Sequence, residues 1–319
     1  MKKFLISTTL TLAVLFTLSC GNRRVVAEGE LSGDISLSGA FALYPLAVKW
    51  AEEFQKLHPG VRIDISAGGA GKGMTDVLAN VVDIGMVSRD VYAVELERGA
   101  VVFAVAKDAV VATISTQNPS LSDLLKKGIT AEDAYKLWIT EEHKTWGQVA
   151  GTADSSPVHL YTRSDACGAG ETWAMWMGKN QEDLGGTGVF GDPGLAMAVQ
   201  RDRLGIGYNN LSYTYDEGTR LPNEGILVLP IDVNGNGQID DDERFYDTKD
   251  RIIEAIAADK YPSPPARDLF MVTNGIPQKP ALVEFLKFIL TEGQQYNIPV
   301  GYITLSEEKL QIGLDLLVN

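Results

Sequence analysis

The sequence predicts a two-lobed α/β protein, each lobe a layered sheet with helices, with a ligand cleft between the lobes. Three observations predict it. Short apolar strand patterns alternate with amphipathic helical ones from about residue 31. A second alternation opens near Asp108, and near Ala266 the chain returns to a strand and a strongly apolar helix that read as rejoining the first unit. Such a chain crosses between lobes twice. The expected organisation is a leader over 1–19, a tether over 20–30, lobe 1 from 31–107 with 266–319, and lobe 2 over 108–265.

In order along the chain, Lys2 and Lys3 precede an uncharged, mostly apolar run over 4–18 that ends at Ser19-Cys20. A basic start, an apolar stretch and a small residue before the cut make a secretory signal. The run falls short of the ~20 apolar residues of a membrane span. Ser19-Cys20 resembles a bacterial lipobox, in which Cys20 becomes the lipidated first residue. The protein is thus expected to be exported and lipid-anchored to the cell envelope.

Residues 33–38 read as a strand. Leu43, Ala47, Trp50, Phe54 and Leu57 then recur at helical spacing, and His58-Pro59-Gly60 stops that helix. A strand over 61–66, a helix over 71–80 and strands over 83–87 and 101–105 complete the first unit. The second contains a helix over 131–139, a strand over 158–162, a helix over 171–178 and strands over 204–208 and 225–230. After a stiff YPSPP stretch at 261–265 come a strand over 268–273 and a helix over 281–291.

Lys and Arg number 28 against 42 Asp and Glu, a net charge of −14, which argues against nucleic acid or a polybasic membrane patch as partner. Any anion must be held by local dipoles and a few cations. With Cys20 lipidated, Cys167 is alone, so no disulfide framework exists. The fold rests on its core.

Three places share one design of strand, small-residue turn and helix: SGAFAL at 38–43, AGGAGK at 67–72 and RSDACGA at 163–169. Each aims free N–H groups of a helix start outward, where the helix dipole favours negative charge. The middle turn is not a nucleotide-binding phosphate loop, because Ser66 stands where the leading Gly belongs and Gly73 replaces the Ser or Thr. Three helix starts converging with one arginine would form a dry anion cage. Cys167, at a helix start near Arg163, is expected to have a lowered thiol pKa. It reads either as a nucleophile or as a small polarizable wall of the pocket.

Together these segments resemble the phosphate-binding subunit of the bacterial high-affinity phosphate ABC transporter. The matching stretches run in order over nearly the whole chain: SGAFALYPLAVKWAEEFQKLHPGVRI, GGAGKGMTDVLANVVDIGMVSRD, KDAVVATISTQNP, TWGQVAG, RSDACGAGETW and GIGYNNL. The resemblance implies the type II periplasmic-binding-protein fold and capture of phosphate for an ABC-transporter permease by a monomeric, non-enzymatic protein. It places ligand at Ala42, Leu43, Ala70, Gly71, Ser88, Arg89, Arg163, Asp165, Cys167, Gly168 and Ala169. Arg89 reads either as a second cation or as a lip residue. Where the family usually offers hydroxyls, this chain has Ala42, Ala70, Cys167 and Ala169, and Ser88 stands where some relatives carry a proton-accepting acid. Those departures keep a second reading open, a site for sulfate, molybdate or tungstate.

One further motif is independent of that resemblance. DVNGNGQIDDDE at 232–243 matches the calcium loop of an EF-hand at each diagnostic place. Asp232, Asn234, Asn236, the carbonyl of Gln238, Asp240 and Glu243 are the expected oxygen donors, and Gly237 makes the sharp turn. A strand precedes the loop where an EF-hand has its first helix. A structural Ca2+ that clamps an insertion of lobe 2 is the expectation. Taken alone, the loop also admits a calcium-stabilised surface adhesin or sensor. A hydrolase such as a phosphatase finds no support, since no metal-binding His cluster, GxSxG elbow or Ser/His/Asp arrangement is evident.

Overall fold

A computed structural model describes residues 30–318. Among them, strands β1 (Ser32–Gly39), β2 (Gly60–Ala67), β3 (Ile84–Val87), β4 (Ala100–Ser115), β5 (His159–Arg163), β6 (Thr187–Val189), β7 (Gly205–Asn210), β8 (Ile226–Val228) and β9 (Ala266–Asn274) form one connected path. Its order is β2-β1-β3-β9-β4-β7-β5-β6, with β8 on β4. The β1–β2, β1–β3, β5–β6 and β5–β7 pairs are parallel, and every pair involving β4 or β9 is antiparallel. The two-lobed α/β architecture read from the alternation is present.

The two lobes have separate cores. One gathers Ile35, Trp50, Phe54, Ile84, Phe103 and Ala106 with Leu269 to Leu290 positions of the C-terminal stretch, and the other gathers Ala109, Trp138, Trp146, Trp173, Tyr208 and Ile252 up to Ala266. The change falls between Ala106 and Ala109 on β4 and between Ala266 and Leu269 on β9. The expected break after 101–105 is therefore no break at all. β4 runs unbroken for 16 residues through both lobes, pairing with β9 as far as Ala109 and with β7 from Val110 onward. Its register shifts between Ala104 and Ala106, just short of the junction, where a bulge bends a strand without ending it. A third segment also lies on the junction: Ile303 exchanges backbone hydrogen bonds with Lys107 and packs into the second core.

The helix Tyr44–Leu57 buries Leu46, Ala47, Trp50, Ala51 and Phe54. Trp50 donates its indole N–H to Gly293 O at 2.9 Å, and Phe54 packs on Phe285 and Phe288 with centroids 5.1 and 5.5 Å apart. Leu57, expected on that face, is the last residue of the helix and 63% exposed. In lobe 2, Trp173 stacks on Tyr208 at 5.9 Å and meets Trp138 edge-on. The Tyr208 hydroxyl bonds Thr162 at 2.8 Å and accepts the backbone N–H of Arg163 at 3.1 Å. The aromatic core thereby fixes the end of β5, where the site begins. No helix among the described residues is long and apolar enough to cross a membrane.

Candidate anion site between the lobes

Arg163 ends β5, and its side chain is 1% exposed. Its Nε and Nη2 donate to the two oxygens of Asp165 at 2.8 and 2.5 Å, a bidentate fork, and Nη1 donates to Asp192 at 2.5 Å. Burial works against the charge, but Asp192 and the other acidic neighbours outweigh it and hold the guanidinium above its ordinary pKa. A guanidinium has five N–H donors, so the three bonds to carboxylates leave two for a ligand. The carboxylates are themselves held. Asp165 accepts Gly191 N–H at 3.0 Å, and Asp192 accepts the Asn210 amide at 2.7 Å. Asn209 donates to the Asp192 carbonyl at 3.1 Å. A buried charge this well satisfied is rigid.

Asp192 escaped the sequence reading. It opens the helix Gly191–Arg201, which was not anticipated because Gly191, Pro193 and Gly194 read as a turn. The signal that would have found it is the design used elsewhere, a strand (β6) running into a Gly-Asp-Pro helix start.

Lobe 1 supplies the opposite wall. Gly69 caps the helix Ala70–Leu78 at φ +90°, and Gly71 N–H reaches across to the Ala166 carbonyl at 3.1 Å. Ser88, 2% exposed, lies directly against Gly168: a Cβ on Gly168 would stand 2.1 Å from Ser88 O and 2.3 Å from its hydroxyl. Only glycine permits that approach. Phe41 sets its ring 5.4 Å from the Arg163 guanidinium and meets Phe190 and Tyr213 edge-on. Tyr213 donates to Phe41 O at 3.1 Å, and Tyr92 donates to Glu171 at 3.1 Å. The cleft is closed.

The structure thus brings Gly71, next to Ala70, against Ala166 and Ser88 against Gly168, on the same turn that carries Arg163, Asp165, Cys167 and Ala169. Ala42 and Leu43 are buried in the first wall, where the Ala42 carbonyl takes the Tyr302 hydroxyl at 2.6 Å and Leu43 N–H bonds Ala40 O. Arg89 faces elsewhere. Its guanidinium pairs with Glu95 at 2.7 and 2.9 Å, donates to Asp90 O and lies 4.1 Å over the Tyr92 ring, an arrangement at the lip. The expectation of a lowered thiol pKa at Cys167 is overturned. Burial pushes it up to about 12 although Arg163 opposes this, and its Sγ accepts Gly170 N–H at 3.2 Å as a helix cap. Cys167 is buried in the lobe 2 core at the start of the helix Gly168–Trp176. The cavity of about 730 Å³ near His143 and His159 on lobe 2 shares none of these residues. A groove of about 580 Å³ lined by Phe41, Tyr44, Pro193 and Tyr213 borders the site.

A model of the PBP superfamily domain matches residues 25–292. The phosphate-binding protein PstS of Pseudomonas aeruginosa is 26% identical over 303 residues, covering 86% of this chain and 84% of that protein. Protein SphX of Synechocystis is 26% identical, covering 89% and 82%. Among solved structures, a phosphate-bound ABC-transporter substrate-binding protein from Clostridium perfringens superposes with a TM-score of 0.70 at 21% identity, covering 86% of this chain and all of that one. An ABC-type phosphate transport receptor from Vibrio cholerae gives 0.61 at 18% identity, covering 85% and 100%. By its two-lobed fold and the match over most of its length, this chain belongs to the periplasmic-binding-protein (PBP) superfamily.

Proposed function

We propose that this chain is an extracytoplasmic solute-binding protein that captures phosphate in the interlobe cleft and hands it to an ABC-transporter permease. The carrying observation is Arg163, buried and clamped by two carboxylates, with two N–H donors left beside helix starts from both lobes. The similarity to PstS and SphX proteins over most of both chains supports phosphate as the ligand. The protein acts by binding and closure, with no chemical step. Cys20, the lipid-anchor candidate, lies outside the described residues, and anchoring at the envelope rests on its lipobox-like context. A second reading, capture of a fully deprotonated oxyanion such as sulfate, is favoured by one feature: Asp165 and Asp192 are committed to Arg163 and Ser88 replaces an acid, so the walls offer mainly donors. A thermal-shift series with phosphate, sulfate, molybdate, tungstate and arsenate tests both. Stabilisation by phosphate supports capture of phosphate, a response to another anion alone transfers the site to that ligand, and no response to any removes the anion site.

The loop 232–243 is proposed to hold a structural Ca2+. Asp232 and Glu243 are 4% and 5% exposed, and among the described residues neither they nor Asp240 has a Lys, Arg or His within ion-pair distance. Backbone N–H groups of Gly235, Asn236 and Gly237 converge on Asp232, and those of Val233, Asn234 and Asp240 on Glu243. This preforms the loop around two carboxylates that no cation neutralises, and a bound cation would supply that charge. No three acidic, His or Cys groups among the described residues converge on one point, so the Asn234 and Asn236 amides and the Gln238 carbonyl have to complete the ligand set. These amides now donate to Asp240, and an ion would turn their oxygens inward. The loop is pinned to lobe 2 by Ile239, whose N–H bonds Lys126 O at 2.7 Å, and by Asp232 N–H to Ile129 O. Calcium is expected to raise the melting temperature, chelation to reverse this, and Glu243→Gln to abolish the response. A melting temperature indifferent to calcium in the wild-type protein removes the site.

A further inference from the structure

Behind the anion site, at the junction of the lobes, two buried charged residues lack their full set of partners. Asp108 on β4 and Arg267 on β9 stand directly opposite each other in the strand register. Asp108 is fully buried and Arg267 is 8% exposed. Their charged groups are 3.9 Å apart, too far for a hydrogen bond. Among the described residues, neither the Asp108 oxygens nor the Arg267 Nε and Nη1 make a well-aligned hydrogen bond, although the Ala109 N–H stands close to the Asp108 carboxylate. Arg267 is nonetheless connected to the site. Its Nη2 donates to Asn210 Oδ1, the Asn210 amide donates to Asp192, and Asp192 receives Arg163. One unbroken chain of buried polar groups joins the ligand cation to the crossover strands.

We propose that Asp108 and Arg267 are positioning residues of the anion site, which fix Asp192 and Arg163 through Asn210, and that Asp108 takes up a proton when the anion is bound. This rests on the anion-capture reading. With every group ionised, Arg163, Arg267 and Lys249 balance Asp165, Asp192 and Asp108, so an arriving anion tips the network to net negative charge. Adding another negative charge beside Arg163 raises the cost of an ionised Asp108, and protonating it offsets that cost. The groups that face Asp108 are Arg267 on β9, Lys249 on the helix Lys249–Ala257, Asp192 on the helix Gly191–Arg201, and the hydroxyls of Tyr213, Tyr261 and Tyr302. Lys249 is engaged with Val300 O at 2.8 Å. Burial already holds the Asp108 carboxyl up at about 6, opposed by Arg267, so it is poised to change state near neutral pH.

The test is titration calorimetry of the full mature chain with inorganic phosphate near pH 6.5, in buffers of different ionisation enthalpy, for wild type and Asp108→Asn. Phosphate itself exchanges protons, so the readout is the difference in proton uptake between the two proteins. The wild type is expected to take up a further measurable fraction of a proton per phosphate, with its affinity relative to Asp108→Asn rising as pH falls from 7.5 to 5.5. If Asp108→Asn does not fold, carbon NMR of labelled aspartate in the wild type reads the same event as a shift of the Asp108 carboxyl toward its protonated position on saturation with phosphate. Phosphate binding with identical proton uptake in both proteins, or an unmoved carboxyl signal, overturns the proposal and leaves phosphate capture standing. Absence of any phosphate binding removes the capture reading and this proposal with it.

Discussion

The two walls of the cleft do different jobs with different materials. The lobe 2 wall is a charge network, with Arg163 held by Asp165 and Asp192 and these held in turn by Gly191 and Asn210. The lobe 1 wall is backbone and shape: the glycine-capped start at Ala70, Ser88 and the Phe41 ring, with its cation Arg89 turned away to Glu95. A wall built of satisfied charges keeps its geometry whether or not the cleft is closed. A wall of small residues and N–H groups contributes only when the lobes meet, so closure itself is the step that completes the site.

Changes in the charged wall are expected to cost stability, and changes in the shaped wall to cost closure. The largest effect belongs to Arg163→Ala, which strands two buried carboxylates. Urea unfolding should show a loss of about 3–5 kcal/mol, together with loss of phosphate-induced stabilisation. A stability change near zero would mean that water reaches Asp165 and Asp192 freely. Next is the pH dependence of the unliganded protein. Asp108, raised by burial to about 6, contributes stability that is fully present below the ordinary carboxylate range and lost as pH rises through 6, at most about 3 kcal/mol. Asp83, Asp133 and Glu95 are depressed, despite partial burial, by Lys279, Lys127 and Arg89 respectively; their contribution is lost only at lower pH, as it falls through their depressed values. Unfolding curves at pH 5.5 and 7.5 should therefore favour the lower pH, and Asp108→Asn should flatten the difference.

On the shaped wall, Gly168→Ala puts a Cβ 2.1 Å from the Ser88 carbonyl. Overpacking of this kind costs about 1–3 kcal/mol. Because it acts only when the walls meet, phosphate affinity should fall by about tenfold or more while the unliganded melting temperature stays nearly constant. Equal losses in both would show that the lobes stay closed without ligand. The smallest effect is expected for Tyr213→Phe, which removes one cross-cleft hydrogen bond to Phe41 O and should weaken binding by about 1 kcal/mol in calorimetry.

What the sequence made legible was local. The Arg163–Asp165 pair, two residues apart on one turn, was implied by the family resemblance of that motif, and the glycine turns at 67–72 and 163–169 announce close approach. The helical period placed Ala47, Trp50 and Phe54 correctly in the core but carried Leu57 one turn too far, to a fraying end. What stayed hidden depends on strand register and distant pairing. Asp192 reaches Arg163 across 29 residues from a helix masked by Gly and Pro, and Asp108 meets Arg267 only because β4 and β9 align antiparallel. The continuity of β4 was missed because the charged pair Lys107-Asp108 interrupts its apolar pattern midway. Cys167 misled for an energetic reason, since a helix start and a nearby arginine lower a thiol pKa only where water still reaches the sulfur.

The most direct test of phosphate capture between these two walls is thermal unfolding of the mature wild-type protein with and without saturating phosphate, with sulfate alongside. Ligand bound only to the folded state stabilises by RT ln(1 + [L]/Kd), about 4 kcal/mol at a thousandfold excess. The account predicts a shift of several degrees with phosphate, larger than with sulfate and diminished in Gly168→Ala. A melting temperature unmoved by phosphate contradicts it.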